Sequence, residues 1–171
     1  MKEILHYYSE YNVWANEKMA NFFSDKEEEK LTQFIENSFP SIRRTVEHMI
    51  TAERSWLARL QNDTNNNNNI SLNYSSTNQA FMDLLAYSRK FSKFVSEQSE
   101  FFFQRNICYH TWNGDPWEMQ PKVMIHHCMN HSTYHRGQLI TMARQLGWKS
   151  NLPSTDILFY WRETSSNSSM I

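Results

Sequence analysis

Apolar side chains return every three to four residues over most of this chain, the period of an α-helix with one buried face. Ile4, Tyr8, Tyr11, Ala15 and Phe22 form the first such stripe, within Ile4 to Phe23. A charged link, Asp25 to Lys30, leads to Pro40, which suits a helix's first turn. A second stripe then runs through Ile42, Val46, Met49, Ile50, Trp56, Leu57 and Leu60. Ser76 with Gln79 three positions on has capping-box spacing, and Phe81, Leu84, Leu85, Ser88, Phe91 and Val95 carry a third face that ends near Gln98. The fourth helix begins near Pro121 and reaches Leu146, where Gly147 supplies the left-handed residue that commonly closes a helix. Ser154 to Glu163 reads as a short capped helix with aromatics to pack on the rest.

The breaks in the pattern are as informative. Asn65 to Asn69 offers no apolar residue to bury, so residues 61–75 read as a solvated loop, and the tail over 164–171 is expected to fray. Between Ile107 and Gln120, Asn113-Gly114 stands between aromatic-rich flanks, as in a tight turn joining two short strands, although Pro116 has no N–H to give a ladder. Four long amphipathic helices with one irregular connection predict an all-α four-helix bundle, spanning residues 1–171 as a single domain. Only three glycines and four prolines, with 15% aromatic residues, favour the same class.

Charge excludes some functions. Seventeen basic and eighteen acidic residues leave a net charge of -1, so no overall field draws the protein to nucleic acid or to an anionic membrane. The N-terminus, MKEILHYYSEYN, has no uninterrupted apolar run and reads as neither a signal peptide nor a membrane span, which points to the cytoplasm. Cys108 and Cys128 are too few for a disulfide framework.

The candidate chemistry lies in HHCMNHSTYHRGQL, His126 to Leu139, which holds four of the chain's seven histidines. At ~100° per residue, Met124, Cys128, His131, His135, Leu139, Met142 and Leu146 share one stripe. His126 and His127 fall outside it as boundary and solvent residues, which leaves an inward pair at i and i+4. Two imidazoles one turn apart suit a single divalent ion, and Ser132 stands where the H-E-x-x-H protease motif needs its Glu. A reactive metal typically takes three protein ligands. The third stays open between His48, which projects to the flank of the second helix, and Cys128, which reads more simply as a small core residue. Glu53, at the centre of the second stripe, is a ligand, an acceptor for an imidazole N–H, or the partner of an arginine. A ferritin-like carboxylate site needs a pair of inward Glu-x-x-His elements; only Glu3 to His6 has that spacing, and His6 points away from its helix's stripe.

Other marked residues have plain readings. Arg136, off the stripe, suits an ion pair with a neighbouring helix better than a substrate anion. Gly137 is expected to let another helix approach closely. Tyr8, Tyr11, Trp14, Trp56 and Phe81 read as core, and Trp112 and Trp117 as residues of a pocket mouth or an oligomer contact.

YNVWANEKM (Tyr11 to Met19), HMITAERSWLARL (His48 to Leu60), NHSTYHRGQL (Asn130 to Leu139) and RQLG followed by PSTDILFYW occur in an order that resembles the DinB family of metalloenzymes. The resemblance spans nearly the whole chain, and H-x-x-x-H-R-G-Q is its most specific part. It implies a four-helix bundle in which His48, His131 and His135 bind a divalent transition metal, zinc or nickel first, with iron, manganese or copper as further choices. It thereby favours His48 over Cys128. It also implies a metal-dependent hydrolase, or a transferase using a low-molecular-weight thiol, acting on a small-molecule substrate, with Glu53 as a candidate for proton transfer or for orienting a ligand. A homodimer is implied in the same way. The alternative is a helical bundle that binds a metal or small ligand without catalysis, for which a fourth protein ligand would speak.

Overall fold

The computed structural model describes residues 1–63, 72–111 and 113–168. The asparagine run, Trp112 and the last three residues of the tail therefore lie outside the described residues. The fold is all-α apart from one small hairpin. Its elements are α1 (Lys2–Phe23), α2 (Glu28–Thr32), α3 (Ile42–Leu60), α4 (Thr77–Glu97), a 3-10 turn (Glu100–Gln104), β1 (Ile107–His110), β2 (Pro116–Met119), α5 (Pro121–Gln145) and α6 (Ile157–Ser168). Among the described residues no helix is long and apolar enough to cross a membrane.

Most helix ends follow their sequence signals. Ser76 caps α4, its hydroxyl accepting from the Gln79 N–H at 3.1 Å. Gly147 adopts φ 94° just beyond α5. Pro40 instead lies outside α3: Ser41 is the N-cap, accepting from Arg44 N–H, and the Pro40 carbonyl accepts from Ile35 N–H at 2.9 Å. The segment before α3 thus closes into a loop of its own. The charged link folds into the short α2, whose Leu31 is buried. The last helix starts later than expected, after Asp156, whose carboxylate accepts from Leu158 N–H. It also extends through Ser168, with Thr164 Oγ1 donating back to the Tyr160 carbonyl at 3.0 Å.

The hairpin forms as the turn signal suggested. β1 and β2 pair antiparallel from Ile107↔Met119 to His110↔Pro116, and Gly114 takes φ 86° in the turn. Pro116 is accommodated because it is the first residue of its strand, at the end of the ladder.

The long helices pack in the cyclic order α1, α4, α3, α5, with α6 against α1. Their apolar faces form two large clusters, beside a small one of Tyr11 and Ala15 with Tyr160. One gathers Phe23, Leu31, Val46, Ile50, Phe81, Leu84, Leu139 and Met142; the other gathers Leu5, Leu57, Phe91, Phe103, Met124 and Cys128. Between them the buried residues are polar: Asn12 and Asn16 of α1, Glu53 of α3, Ser88 of α4, and Ser132 and Arg136 of α5. One interhelical seam, between α3 and α5, carries the histidines.

Candidate metal centre

His48 stands nearly two turns into α3, and His131 and His135 stand one turn apart on α5. The centre of the α3 stripe faces the bundle interior, so a residue on its flank meets the neighbouring helix. His48 is such a residue, and it crosses the seam to place Nε2 3.0 Å from His131 Nε2. His135 Nε2 lies 3.1 Å from the same nitrogen. Among the described residues, the side chains grouped closely enough to share a metal ion are these three. Cys128, the competing third ligand, is fully buried inside the apolar cluster, and burial pushes its thiol well above the usual value.

The three imidazoles are neutral near pH 7. Burial, helped by repulsion from His135, lowers the pKa of His48 to about 4. His131 is likewise lowered to about 4, by burial and then by the neighbouring histidines. Burial also lowers His135, against a smaller opposing effect of Gln138.

Neutral imidazoles carry one lone pair each at the ring nitrogen without hydrogen. His135 Nδ1 donates to Gln138 Oε1 at 2.6 Å, so His135 Nε2 is a bare lone pair. The single nitrogen His131 Nε2 faces both His48 Nε2, at 3.0 Å, and this bare His135 Nε2, at 3.1 Å, and one proton has one direction. Whichever nitrogen carries that proton, it makes a hydrogen bond of one contact and leaves the other without one. His131 Nδ1 is buried with no hydrogen-bond partner, so the protein offers no other way to settle that ring. A cation that accepts all three lone pairs removes the conflict, and neutral imidazole suits zinc, nickel, copper or iron. The residues present therefore fit a divalent transition metal.

Two residues that the helical pattern does not mark complete the surroundings. Phe39, in the loop before α3, stacks on His48 with ring centroids 4.0 Å apart and planes 22° apart, and meets His135 edge-on at 5.6 Å. It precedes the helix, so no periodicity could single it out. Gln138 was visible inside the H-x-x-x-H-R-G-Q element, one turn after Tyr134, but nothing in the sequence says which way its amide points. His126 and His127 are exposed as expected, and His127 leans on Trp56 at 4.9 Å beside the triad.

Glu53 is placed differently. It is wholly buried in the polar layer, where Oε1 accepts from Asn12 Nδ2 at 2.7 Å, Asn16 Nδ2 at 3.3 Å and Ser132 Oγ at 3.2 Å, and Oε2 accepts from Ser88 Oγ at 2.7 Å. Its partners are amides and hydroxyls rather than imidazoles. Burial raises its pKa against these donors and the nearby Arg136 charge. Arg136, projected off the stripe, is completely buried. It donates to Asn12 Oδ1 at 2.6 Å, Asn16 Oδ1 at 3.0 Å and Thr133 Oγ1 at 2.8 Å. Each asparagine thus turns its oxygen to the guanidinium and its NH2 to the carboxylate, an ion pair relayed through two amides.

Gly137 departs from its expected role. A Cβ built there meets nothing within 4 Å, so no helix approaches it closely. It lines instead an open groove of about 790 Å3 on the α1–α5 side, with Tyr7, Tyr8, Tyr11 and Thr133. Of the aromatics read as core, Tyr11 and Phe81 are buried, while Tyr8, Trp14 and Trp56 are half-buried. Trp117 is exposed on the hairpin.

A four-helix bundle with a three-histidine seam suited to a divalent ion defines the class. The DinB family's sequence profile matches residues 1–167, and the chain belongs to the DinB family. Protein DinB of Bacillus subtilis (strain 168) is 28% identical over 162 residues, covering 82% of this chain and 85% of that protein. Two solved structures share the fold at 19% identity. A DinB-like protein from Bacillus cereus ATCC 10987 superposes with a TM-score of 0.62, covering 82% of this chain and 89% of its own. A DinB-like protein from Bacillus subtilis does so with a TM-score of 0.64, covering 90% and 98%.

Proposed function

We propose that the protein is a metal-dependent enzyme in which His48, His131 and His135 hold one divalent transition metal, zinc or nickel first, and act on a small-molecule substrate as a hydrolase or as a transferase using a low-molecular-weight thiol. The observation that carries this reading is the convergence of three neutral imidazole nitrogens, 3.0 and 3.1 Å apart, in a frame with no proton arrangement that satisfies them.

A divalent ion bound there supplies Lewis acidity, lowering the pKa of a water or thiol and polarising a carbonyl. The chain's own residues contribute the rest. His48 and His131 stay unprotonated down to about pH 4, so protons compete weakly for the ligand nitrogens at neutral pH. Phe39 covers the His48 ring and keeps water from that face. A structural metal is usually closed by a fourth protein ligand, whereas a reactive one keeps access for solvent or substrate. Cys128 and Glu53, the two candidates for such a fourth ligand, are held in the apolar cluster and in the polar layer, which supports the reactive reading over a purely structural metal. The cysteines are free thiols, in keeping with a reducing cytoplasm.

The test is metal analysis of the protein from native-like expression, alongside His131→Ala. We expect about one equivalent of metal in the wild type and a loss of stoichiometric binding in the variant. Full retention by His131→Ala would refute the ligand set. Screens of the loaded protein for thiol transfer and for ester hydrolysis then separate the two reactions, and inactivity in both would favour a non-catalytic binding protein.

A further inference from the structure

Of the three imidazoles, and among the described residues, His135 is the one hydrogen-bonded at the nitrogen turned away from the other two rings: its Nδ1 lies 2.6 Å from Gln138 Oε1. His131 Nδ1, by contrast, is buried without a partner. We propose that Gln138 is a positioning residue of the metal centre, whose side-chain carbonyl holds His135 in the tautomer that presents a bare Nε2 to the ion. This rests on the three-histidine reading above and goes beyond it, because it assigns the preset geometry of the site to a residue that touches no metal.

A carbonyl oxygen accepts and cannot donate. With the proton on Nδ1, the 2.6 Å contact is a hydrogen bond; with the proton on Nε2, it is oxygen lone pair against nitrogen lone pair. The second tautomer is also the useless one, since its N–H points at His131 Nε2, 3.1 Å away, and leaves no electron pair for a cation. One amide oxygen therefore decides whether His135 is a ligand. Hydrogen bonds of this kind to the distal nitrogen of a ligating histidine fix its orientation and raise its basicity, and losing one typically costs about 10–100-fold in metal affinity.

The other end of the amide fixes Gln138 itself. Its Nε2 donates to Ser38 Oγ at 3.2 Å and to Tyr134 Oη at 3.2 Å. Ser38 immediately precedes Phe39, the ring stacked on His48. Gln138 thus links the α5 ligand to the segment that packs on the α3 ligand, and it sets Oε1 toward Nδ1 rather than toward solvent.

The experiment compares wild type with Gln138→Leu and Gln138→Glu. Leucine removes both ends of the amide, whereas glutamate keeps an acceptor toward Nδ1 and removes every N–H. Zinc affinity is read by competition with a chromogenic chelator, and the His135 tautomer is read in the metal-free protein from long-range 1H–15N spectra of the imidazole nitrogens. We expect Gln138→Leu to weaken zinc binding by about 10–100-fold and to shift metal-free His135 away from the Nδ1–H form, and Gln138→Glu to restore both. A merely structural amide would make the two variants fall together, which would overturn the proposal. So would Gln138→Leu binding zinc within about twofold of wild type, or keeping the wild-type tautomer. Absence of zinc binding by the wild type itself would refute the metal centre instead, and the tautomer comparison would still decide the role of Gln138.

Discussion

The same two helices, α3 and α5, carry two clusters of polar side chains, and they are resolved in opposite ways. In the polar layer, Glu53 and Arg136 lie in the bundle's middle, where α1 and α4 supply Asn12, Asn16 and Ser88 to the carboxylate and the guanidinium. At the seam, His48, His131 and His135 turn three nitrogens toward each other, and His131 Nδ1 has no partner. Burial costs free energy in both places. One cluster is answered, but for Arg136 Nε, by the protein's own donors and acceptors, and therefore reads as architecture. The other is not, and its three nitrogens are grouped closely enough to hold a metal ion, so it reads as a candidate site.

The largest effect should come from breaking the architecture. Arg136→Met removes the cation while leaving Glu53 and two asparagines facing an apolar chain, and breaking a buried ion pair by deleting one partner costs about 3–5 kcal/mol. Urea denaturation should show this as a large fall in midpoint. Adding Glu53→Gln should recover part of it, because the unpaired carboxylate is then gone and an amide can still meet Ser88 and the asparagines. A loss below about 1 kcal/mol for Arg136→Met would mean that the layer contributes no more than a surface pair, and the contrast with the seam would fail.

Acidification should separate the clusters next, with a smaller effect, because the histidines are only partly screened from solvent. In the metal-free protein His48 and His131 have pKa values near 4 against 6.5 for the ordinary side chain. Between these values the unfolded chain binds protons that the folded protein refuses. Their contribution is therefore fully present above pH 6.5 and is lost as pH falls toward 4. Glu53 acts in the reverse sense: its raised pKa means the folded protein holds a proton that the unfolded chain gives up above about 4.5, so that contribution declines as pH rises from there. Denaturant midpoints measured from pH 7 to 4 should fall for the wild type, and fall less for His131→Ala. An unchanged slope in the variant would show that the seam histidines are not what the protons reach.

The polar pattern along the chain showed one of these clusters better than the other. The four long helices, the Ser76 cap, the Gly147 terminator and the hairpin around Gly114 all follow from local signals, because each depends on neighbours within a turn or two. His131 and His135 were legible for the same reason, standing at i and i+4 on one helix. His48 was not, since projection rewards the centre of a stripe and a seam between adjacent helices lies at its edge; only resemblance to the DinB family pointed there. The same geometry misplaced Arg136, whose long side chain reaches the middle of the bundle from a position that projects off the stripe. Phe39 and the orientation of Gln138 depend on how a loop folds over α5, which no local pattern encodes.

Gly137 offers the smallest and most pointed test, because it directly follows one member of each cluster, His135 and Arg136, yet belongs to neither. It lies inside α5, where glycine costs about 0.5–1 kcal/mol relative to alanine. A methyl group there would meet nothing within 4 Å, so the helix can accept it without moving either the guanidinium or the imidazole. Gly137→Ala should therefore raise the melting temperature by about 1–4 °C and leave zinc affinity unchanged. A fall in melting temperature would show that something covers the groove over Tyr8, Tyr11 and Thr133 and needs the bare backbone. A fall in zinc affinity alone would show that the α5 backbone transmits strain to His135, joining the two regions that the geometry keeps apart.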